Sequence, residues 1–261
     1  MKFTKTGDAE LIQDYRSQLY KTLRAPIDAM WELLYIASSE NYLIENQEVI
    51  GYCCISQEGC LTQLFLKPDH LCKMDDVIQA LIAQKLIQSA SLSSNEPIAF
   101  NFCLHYSKSI QTNTFCFEHL NREVAVDSNL YLQLVTVEDI PLIKPFLHEQ
   151  VGMDDTFGYT ENLVNRKEIF MLKENDTIVA TSECRLSDTQ PNIADLGIIV
   201  NRKFHGQGLA TLIMKMQVNR VLNLGRKPIC STTMDNVASR KVIEKSGFYC
   251  TNIIYDIRFK D

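Results

Sequence analysis

Leu196-Gly197-Ile198-Ile199-Val200-Asn201-Arg202-Lys203-Phe204-His205-Gly206-Gln207-Gly208-Leu209-Ala210-Thr211 changes its period half-way along. Its apolar start reads as a strand. From residue 209 on, Leu209, Leu212, Ile213, Met216 and Val221 share one helical face. A strand, a glycine-bearing loop and a helix N-terminus in that order suit a phosphate group, because small residues let backbone N–H groups approach an anion and the first-turn amides have no intrahelical acceptor. One exposed charge there gains only about 0.3–1 kcal/mol, so several amides must converge, as they can on a pyrophosphate. Gly-x-Gly alone equally suits a tight turn in which glycine supplies backbone freedom. No Gly-Lys-Ser/Thr follows at nucleotide-loop spacing, and the third glycine and later acidic residue of a dinucleotide fingerprint are missing.

Around this core the second half alternates regularly. Leu130–Thr136 reads as a strand, with Thr136 capping a helix to about Glu149. Residues 168–186 read as a strand pair turning at Glu174-Asn175-Asp176, and 193–200 as the strand before the loop. A helix over about 208–224, a strand over 228–234, a helix over 237–246 and closing strand material over 248–259 follow.

Two segments, His205-Gly206-Gln207-Gly208-Leu209-Ala210 and Asn236-Val237-Ala238-Ser239-Arg240-Lys241-Val242-Ile243-Glu244-Lys245-Ser246-Gly247-Phe248, make residues 130–261 resemble the GNAT (GCN5-related) N-acetyltransferases. The first matches the loop pattern Arg/Gln-x-x-Gly-x-Gly/Ala except at His205. The second matches an Asn, a small-residue helix and Gly-Phe. The resemblance implies acetyl-CoA as cosubstrate. Ile198, Ile199 and Val200 would lie along its pantetheine arm, with backbone groups of Ile198 and Val200 pairing with it. His205, Gly206, Gln207, Gly208, Leu209, Ala210 and Thr211 would cradle the pyrophosphate, and Asn236 would sit beside the pantetheine or the adenine-bearing end.

The implied chemistry is direct acetyl transfer to an amine in a ternary complex, which needs a group to take the amine's proton. Asp195 is the candidate base and Glu183, on the neighbouring strand, the reserve; a one-residue register shift would turn either away. Either carboxylate could equally be an ordinary strand residue. The family's usual acid Tyr is replaced by Ile243, so Tyr249, Tyr255 or water would have to serve. Asp154, Asp155 and Glu161 could attract a cationic amine, or simply be solvated.

The first half follows the same order. A helix through Leu11, Ile12, Tyr15, Leu19 and Leu23 ends at Pro26, and a second passes Trp31, Leu34 and Tyr35. A hairpin spans 41–56, a strand 61–66, a helix about 74–89 and a strand 97–105. Strand, turn, strand, strand, loop, helix, strand thus occurs twice, which predicts a duplication. The fold class expected is α/β (α+β): two tandem GNAT-like domains, each a mixed, mostly antiparallel sheet flanked by helices. They are expected over 1–125, a degenerate copy, and 126–261, the coenzyme-binding copy, with a polar junction at 122–129. Where the coenzyme loop would fall, the first copy has Lys67-Pro68-Asp69-His70-Leu71-Cys72-Lys73-Met74-Asp75, without glycine. One coenzyme per chain is expected, and the first copy would complete the substrate cleft or steady the interface.

At 261 residues the chain suits one large domain or two small ones. With 26 Lys+Arg against 32 Asp+Glu, the net charge of -6 gives no general attraction to nucleic acid or to an anionic membrane. The start lacks a signal-peptide pattern and no apolar run is long enough for a bilayer span, so the cytoplasm is the expected location. The nine cysteines, without Cys-x-x-Cys, read as reduced and buried. Cys184 or Cys230 as nucleophile would need a base that is not near in sequence. His70 and His105 lack a second ligand at metal spacing, and no metal is expected. The expected partner is a small-molecule or peptide amine, with the chain a monomer or homodimer. The alternative functions are a non-catalytic acyl-CoA sensor or interaction module, or a protein for another phosphate ligand.

Overall fold

The computed structural model describes residues 1–126, 130–155 and 158–260; Asp127, Ser128 and Asn129 of the expected junction lie outside them. The chain forms two compact units. The first is Met1–Cys116 with Ser231–Asp235 and Cys250–Asp261, and the second is Phe117–Cys230 with Asn236–Tyr249. Each unit therefore takes in pieces of chain from beyond the midpoint junction.

The first unit begins with β1 (Lys2–Thr6) and α1 (Ala9–Thr22), then α2 (Ala29–Trp31), which runs on as a π-helical turn, Glu32–Ile36. The hairpin β2 (Glu40–Asn46) and β3 (Glu48–Ile55) leads to β4 (Cys60–Leu66), a 3-10 segment Pro68–Lys73 and α3 (Met74–Ala83). β5 (Ser89–Ser93), α4 (Pro97–His105) and β6 (Ser107–His119) close the series. Asp8 starts α1 by accepting from the Leu11 N–H at 3.1 Å. Ile12, Tyr15 and Leu19 face Tyr52 and Phe65 on one side of the sheet, while Val77, Ile78 and Leu81 of α3 pack on the other with Leu61 and Leu92.

Two expectations are corrected here. Residues 97–105 form a helix, and the strand before them is Ser89–Ser93. The segment Pro97-Ile98-Ala99-Phe100 is apolar nearly all round, which masks the helical period, and Pro97 sits where a first helical turn tolerates it. The helix expected to 89 stops at Ala83, just before Lys85 enters the left-handed region at φ 56. β1 was not foreseen.

In the second unit β7 (Gln133–Leu134) is shorter than the strand expected at 130–136. Thr136 opens the next helical segment as anticipated, its N–H donating to Asp139 at 3.0 Å. A 3-10 turn leads into α5 (Ile140–Val151), and α6 (Tyr159–Asn165), which was not foreseen, precedes the hairpin β8 (Ile169–Glu174) and β9 (Thr177–Leu186). β10 (Ile193–Val200), α7 (Leu209–Asn223), β11 (Lys227–Thr233), α8 (Val237–Lys245) and β12 (Phe248–Phe259) follow.

The succession β2-β3-β4-α3-β5-α4-β6 is repeated as β8-β9-β10-α7-β11-α8-β12, so the duplicated, mostly antiparallel architecture is as anticipated. The last strands are exchanged. In the first unit β12, from Cys250 on, completes the order β1-β2-β3-β4-β5-β12, and in the second the end of β6, from Phe117 on, completes β7-β8-β9-β10-β11-β6. β12 pairs antiparallel with β5, Ile257 opposite Ala90 and Ile254 opposite Ser93, and Glu118 near the end of β6 is ion-paired with Lys227 of β11.

Candidate active site

The second unit is built around an interrupted strand pair. β10 pairs with β9 from Ala194 opposite Leu186 to Val200 opposite Ala180, all of the strand but its first residue. Its parallel pairing with β11 covers only Ile193, Ala194 and Asp195. Beyond Asp195 one edge of β10 has lost its ladder partner within this unit, and backbone groups on such an edge can bond an extended ligand.

The loop after β10 is pinned at its start. The Asn201 side chain accepts from the Lys203 N–H at 3.1 Å and donates to the Ile178 carbonyl at 3.1 Å, while Arg202 donates its N–H to Gln150 Oε1 at 2.9 Å. His205 Nε2 donates to the Val200 carbonyl at 2.9 Å, so the side chain that departs from the loop pattern ties the loop to the strand end. Gly206 and Gly208 have φ of 80° and 78°, a region glycine enters without strain, and a Cβ on either would meet no atom within 4 Å. The space over the loop is therefore open. Gly208 begins α7 without a side-chain cap, leaving the first-turn amides of Leu209, Ala210 and Thr211 to a ligand or water. The helix is anchored behind by Ile213, Val218 and Val221, and by Gln217 donating to Ser182 Oγ at 3.0 Å.

Asn236 caps α8, its side chain accepting from the Ser239 N–H at 3.0 Å, while Ile243 is buried. Gly247 is glycine for a packing reason: a Cβ there would lie 2.8 Å from His119 Nε2, whose ring meets Phe248 edge-on at 4.9 Å. The Gly-Phe motif thus seats the end of β6.

Both candidate bases lie on one face of β9 and β10, Glu183 opposite Gly197 and Arg185 opposite Asp195. Arg185 reaches both carboxylates, with Nη2 at 2.8 Å from Asp195 Oδ1 and Nη1 against Glu183 Oε2. Tyr159 of α6 donates its hydroxyl to Glu183 Oε2 at 2.7 Å. Burial, helped by the adjacent Glu183 carboxylate and opposed by Arg185, pushes the Tyr159 phenol well above its ordinary value, so it remains an O–H donor. Asp195, 1% exposed, lies where β10 and β11 are still paired; Glu183 lies opposite a residue without a side chain, beside the unpaired stretch.

Residues 8–120 match the family described as "Acetyltransferase (GNAT) domain" and residues 135–248 that described as "Acetyltransferase (GNAT) family". The chain is a GNAT acetyltransferase with two GNAT domains in tandem. It is similar over 100% of both chains to a GNAT-family acetyltransferase from Colwellia psychrerythraea, at 25% identity and a TM-score of 0.92. A GCN5-related N-acetyltransferase from Sphaerobacter thermophilus shares the fold at 12% identity and a TM-score of 0.70, over 99% of this chain and 95% of that one. A tandem GNAT protein from the clavulanic acid biosynthesis pathway does so at 13% identity and a TM-score of 0.62, over 99% and 98%. Among curated proteins no sequence matches.

The other candidates of this tandem GNAT protein fall into structural places. Tyr255 packs against Phe100 in the first unit, ring centres 5.3 Å apart, and Tyr249 is exposed. Lys144 pairs with Asp155 at 2.7 Å and Glu161 at 2.5 Å, and His148 stands 3.6 Å from Asp154, so the acidic trio is matched by local basic groups. None of the nine cysteines is in a disulfide; six are buried as expected, but Cys60 is half-buried and Cys72 and Cys250 are exposed, and burial raises the Cys184 thiol to about 11, which keeps it un-ionised. His70 lies beside Glu48 at 3.6 Å and His105 against the Tyr106 ring. Among the described residues no three His, Cys, Asp or Glu side chains could hold a metal, and no helix is long and apolar enough to cross a membrane. Arg185 and Tyr159 were missed in the sequence. Arg185 could have been found two residues after Glu183, on the same strand face.

Proposed function

We propose that the second unit carries acetyl groups from acetyl-CoA to the amine of a small molecule or peptide in the cytoplasm, by direct transfer in a ternary complex. The observation that carries this reading is the combination of β10's unpaired edge with a left-handed glycine loop that opens uncapped into α7. Those features fit coenzyme A, whose pantetheine arm needs strand-like donors and acceptors and whose pyrophosphate needs converging amides. Ile198 and Val200 would line the arm, with Ile199 between them turned to the α5 side of the sheet. Residues His205–Thr211 would hold the pyrophosphate, and Asn236 contributes by fixing the start of α8.

Bound acetyl-CoA supplies an acetyl thioester, an activated acyl group with a fairly good leaving thiolate. Glu183 takes the proton of the incoming amine, because it borders the unpaired stretch of β10. Asp195 and Tyr159 act as positioning residues: Asp195 holds Arg185, and Arg185 and Tyr159 together orient Glu183. With Ile243 buried, no side chain of α8 at that position can protonate the leaving group, which leaves water or the exposed Tyr249 as the acid.

Calorimetric titration of the full chain with acetyl-CoA, followed by chromatography of products from an amine panel, tests the reading. Binding with turnover of at least one amine is expected. Absence of binding overturns it, and binding without turnover on any amine favours the sensor, the reading that buried Ile243 suggests.

A further inference from the structure

The first unit repeats the interrupted strand pair and fills it from within. β4 pairs in parallel with β5 only at Cys60 and Leu61, as β10 does with β11 only as far as Asp195. Leu64 stands three residues past the last paired residue of β4 and two before the strand's end. Ile198 stands three past the last paired residue of β10 and two before its end. The two backbone amides are therefore counterparts.

In the first unit the carboxyl group of Glu96 lies against the Leu64 N–H. Glu96 occupies the N-cap of α4, the position that Asn236 occupies on α8. Asn236 is exposed and bonds its own helix; Glu96 is 6% exposed and makes no such cap. The turn that aims it inward is pinned. Asn95 Oδ1 accepts from the Ala25 N–H at 3.0 Å, and Ser93 Oγ accepts from the Asn95 N–H at 3.1 Å and from Asn252 Nδ2 at 2.7 Å.

A buried carboxyl whose second oxygen has no hydrogen-bond partner is an expensive way to satisfy one strand amide. Burial pushes it up to about 8, opposed only by the Leu64 N–H. Tyr52 and Cys54 of β3 and Cys103 of α4 face it, and none of them is a cation. A group that offers a carbonyl-like oxygen to the strand edge and faces no cation imitates an amide carbonyl of a pantetheine chain.

We infer that Glu96 occupies, in the first unit, the place that the pantetheine arm takes in the second, so that the first unit's slot is closed by its own side chain. This rests on the coenzyme reading of the second unit. Glu96 thereby closes the strand edge of a unit whose entry into α3 already lacks the glycines of the second.

Backbone amide NMR of the full chain tests the assignment, with Ile198 and Leu64 as separate reporters. Coenzyme A added to the wild-type chain is expected to shift the Ile198 amide and leave Leu64 unmoved. Glu96→Ala is expected to speed Leu64 hydrogen exchange about tenfold, while Glu96→Gln, which keeps an acceptor in place, stays near the wild-type rate. A Leu64 amide that shifts with coenzyme A in the wild-type chain, or exchanges no faster in Glu96→Ala, overturns the inference. Should Glu96→Ala fail to fold, the wild-type titration alone decides. An Ile198 amide that stays still instead overturns the coenzyme reading of the second unit, and the Leu64 exchange rates then judge the plug separately.

Discussion

β4 and β10 both leave a parallel neighbour and turn into a helix, yet they enter it differently. β4 runs into Lys67-Pro68 and a 3-10 segment whose donors are used internally: the His70 N–H goes to the Lys67 carbonyl at 2.9 Å and the Met74 N–H to that of Leu71. Pro68 has no donor to offer, and α3 begins with its first amide, that of Met74, already engaged. β10 enters α7 through Gly206 and Gly208, whose positive φ turns the chain at once into a helix with uncapped amides. An anion site at a helix N-terminus thus depends on how the chain enters the helix, more than on the helix itself.

The largest break in this comparison is expected from Gly208→Trp. A Cβ at 208 meets no protein atom, so the added side chain intrudes on the ligand's space, and coenzyme binding should fall below calorimetric detection. Gly152→Ala is the control. Gly152 also has positive φ, 68°, with open space around it, at the end of α5, so its substitution should cost similar backbone strain of about 1 kcal/mol and leave binding unchanged.

Next in size, Glu183→Gln should lower kcat by about 10²–10⁴ while the coenzyme Kd stays within about twofold. Equal loss from Asp195→Asn with Glu183→Gln silent would reverse their roles.

A third effect sharpens the contrast between Glu96 and Asn236. Glu96 is held above its ordinary value, so the folded state keeps a proton that the unfolded chain has already released. Its contribution to stability should be greatest below the usual carboxylate range, fall as pH rises towards about 8 and level off above it, the reverse of a salt-bridged carboxylate. Denaturant midpoints across that window check this, and Glu96→Gln should flatten the slope.

The smallest effect is expected from Tyr159→Phe. Removing one donor to Glu183 should reduce kcat about three- to tenfold without changing coenzyme affinity, read from steady-state kinetics beside calorimetry.

The strand, loop and helix around Gly206 and Gly208 were legible because a change of period and a pair of glycines are local signals. The repeated order of elements was legible for the same reason. The segment 97–105 was misread because Phe100, Phe102 and Leu104 alternate as in a strand, and only Pro97 signalled a helix start. The exchange of β6 and β12 leaves no local trace, since which strand pairs with β5 is decided by residues far apart in the chain. The same holds for the site. Glu183 and Asp195 could be named as candidates, but that Arg185 joins them and that Gly197 faces Glu183 depends on the register of β9 against β10. Glu96 reads in the sequence as a polar turn residue, and only its contact with Leu64 reveals more.

The most direct test of the central claim is the stoichiometry of coenzyme binding to the full chain by calorimetry. One acetyl-CoA per chain, lost in Gly208→Trp, is the predicted result. Two sites per chain, or one that survives Gly208→Trp, would contradict it.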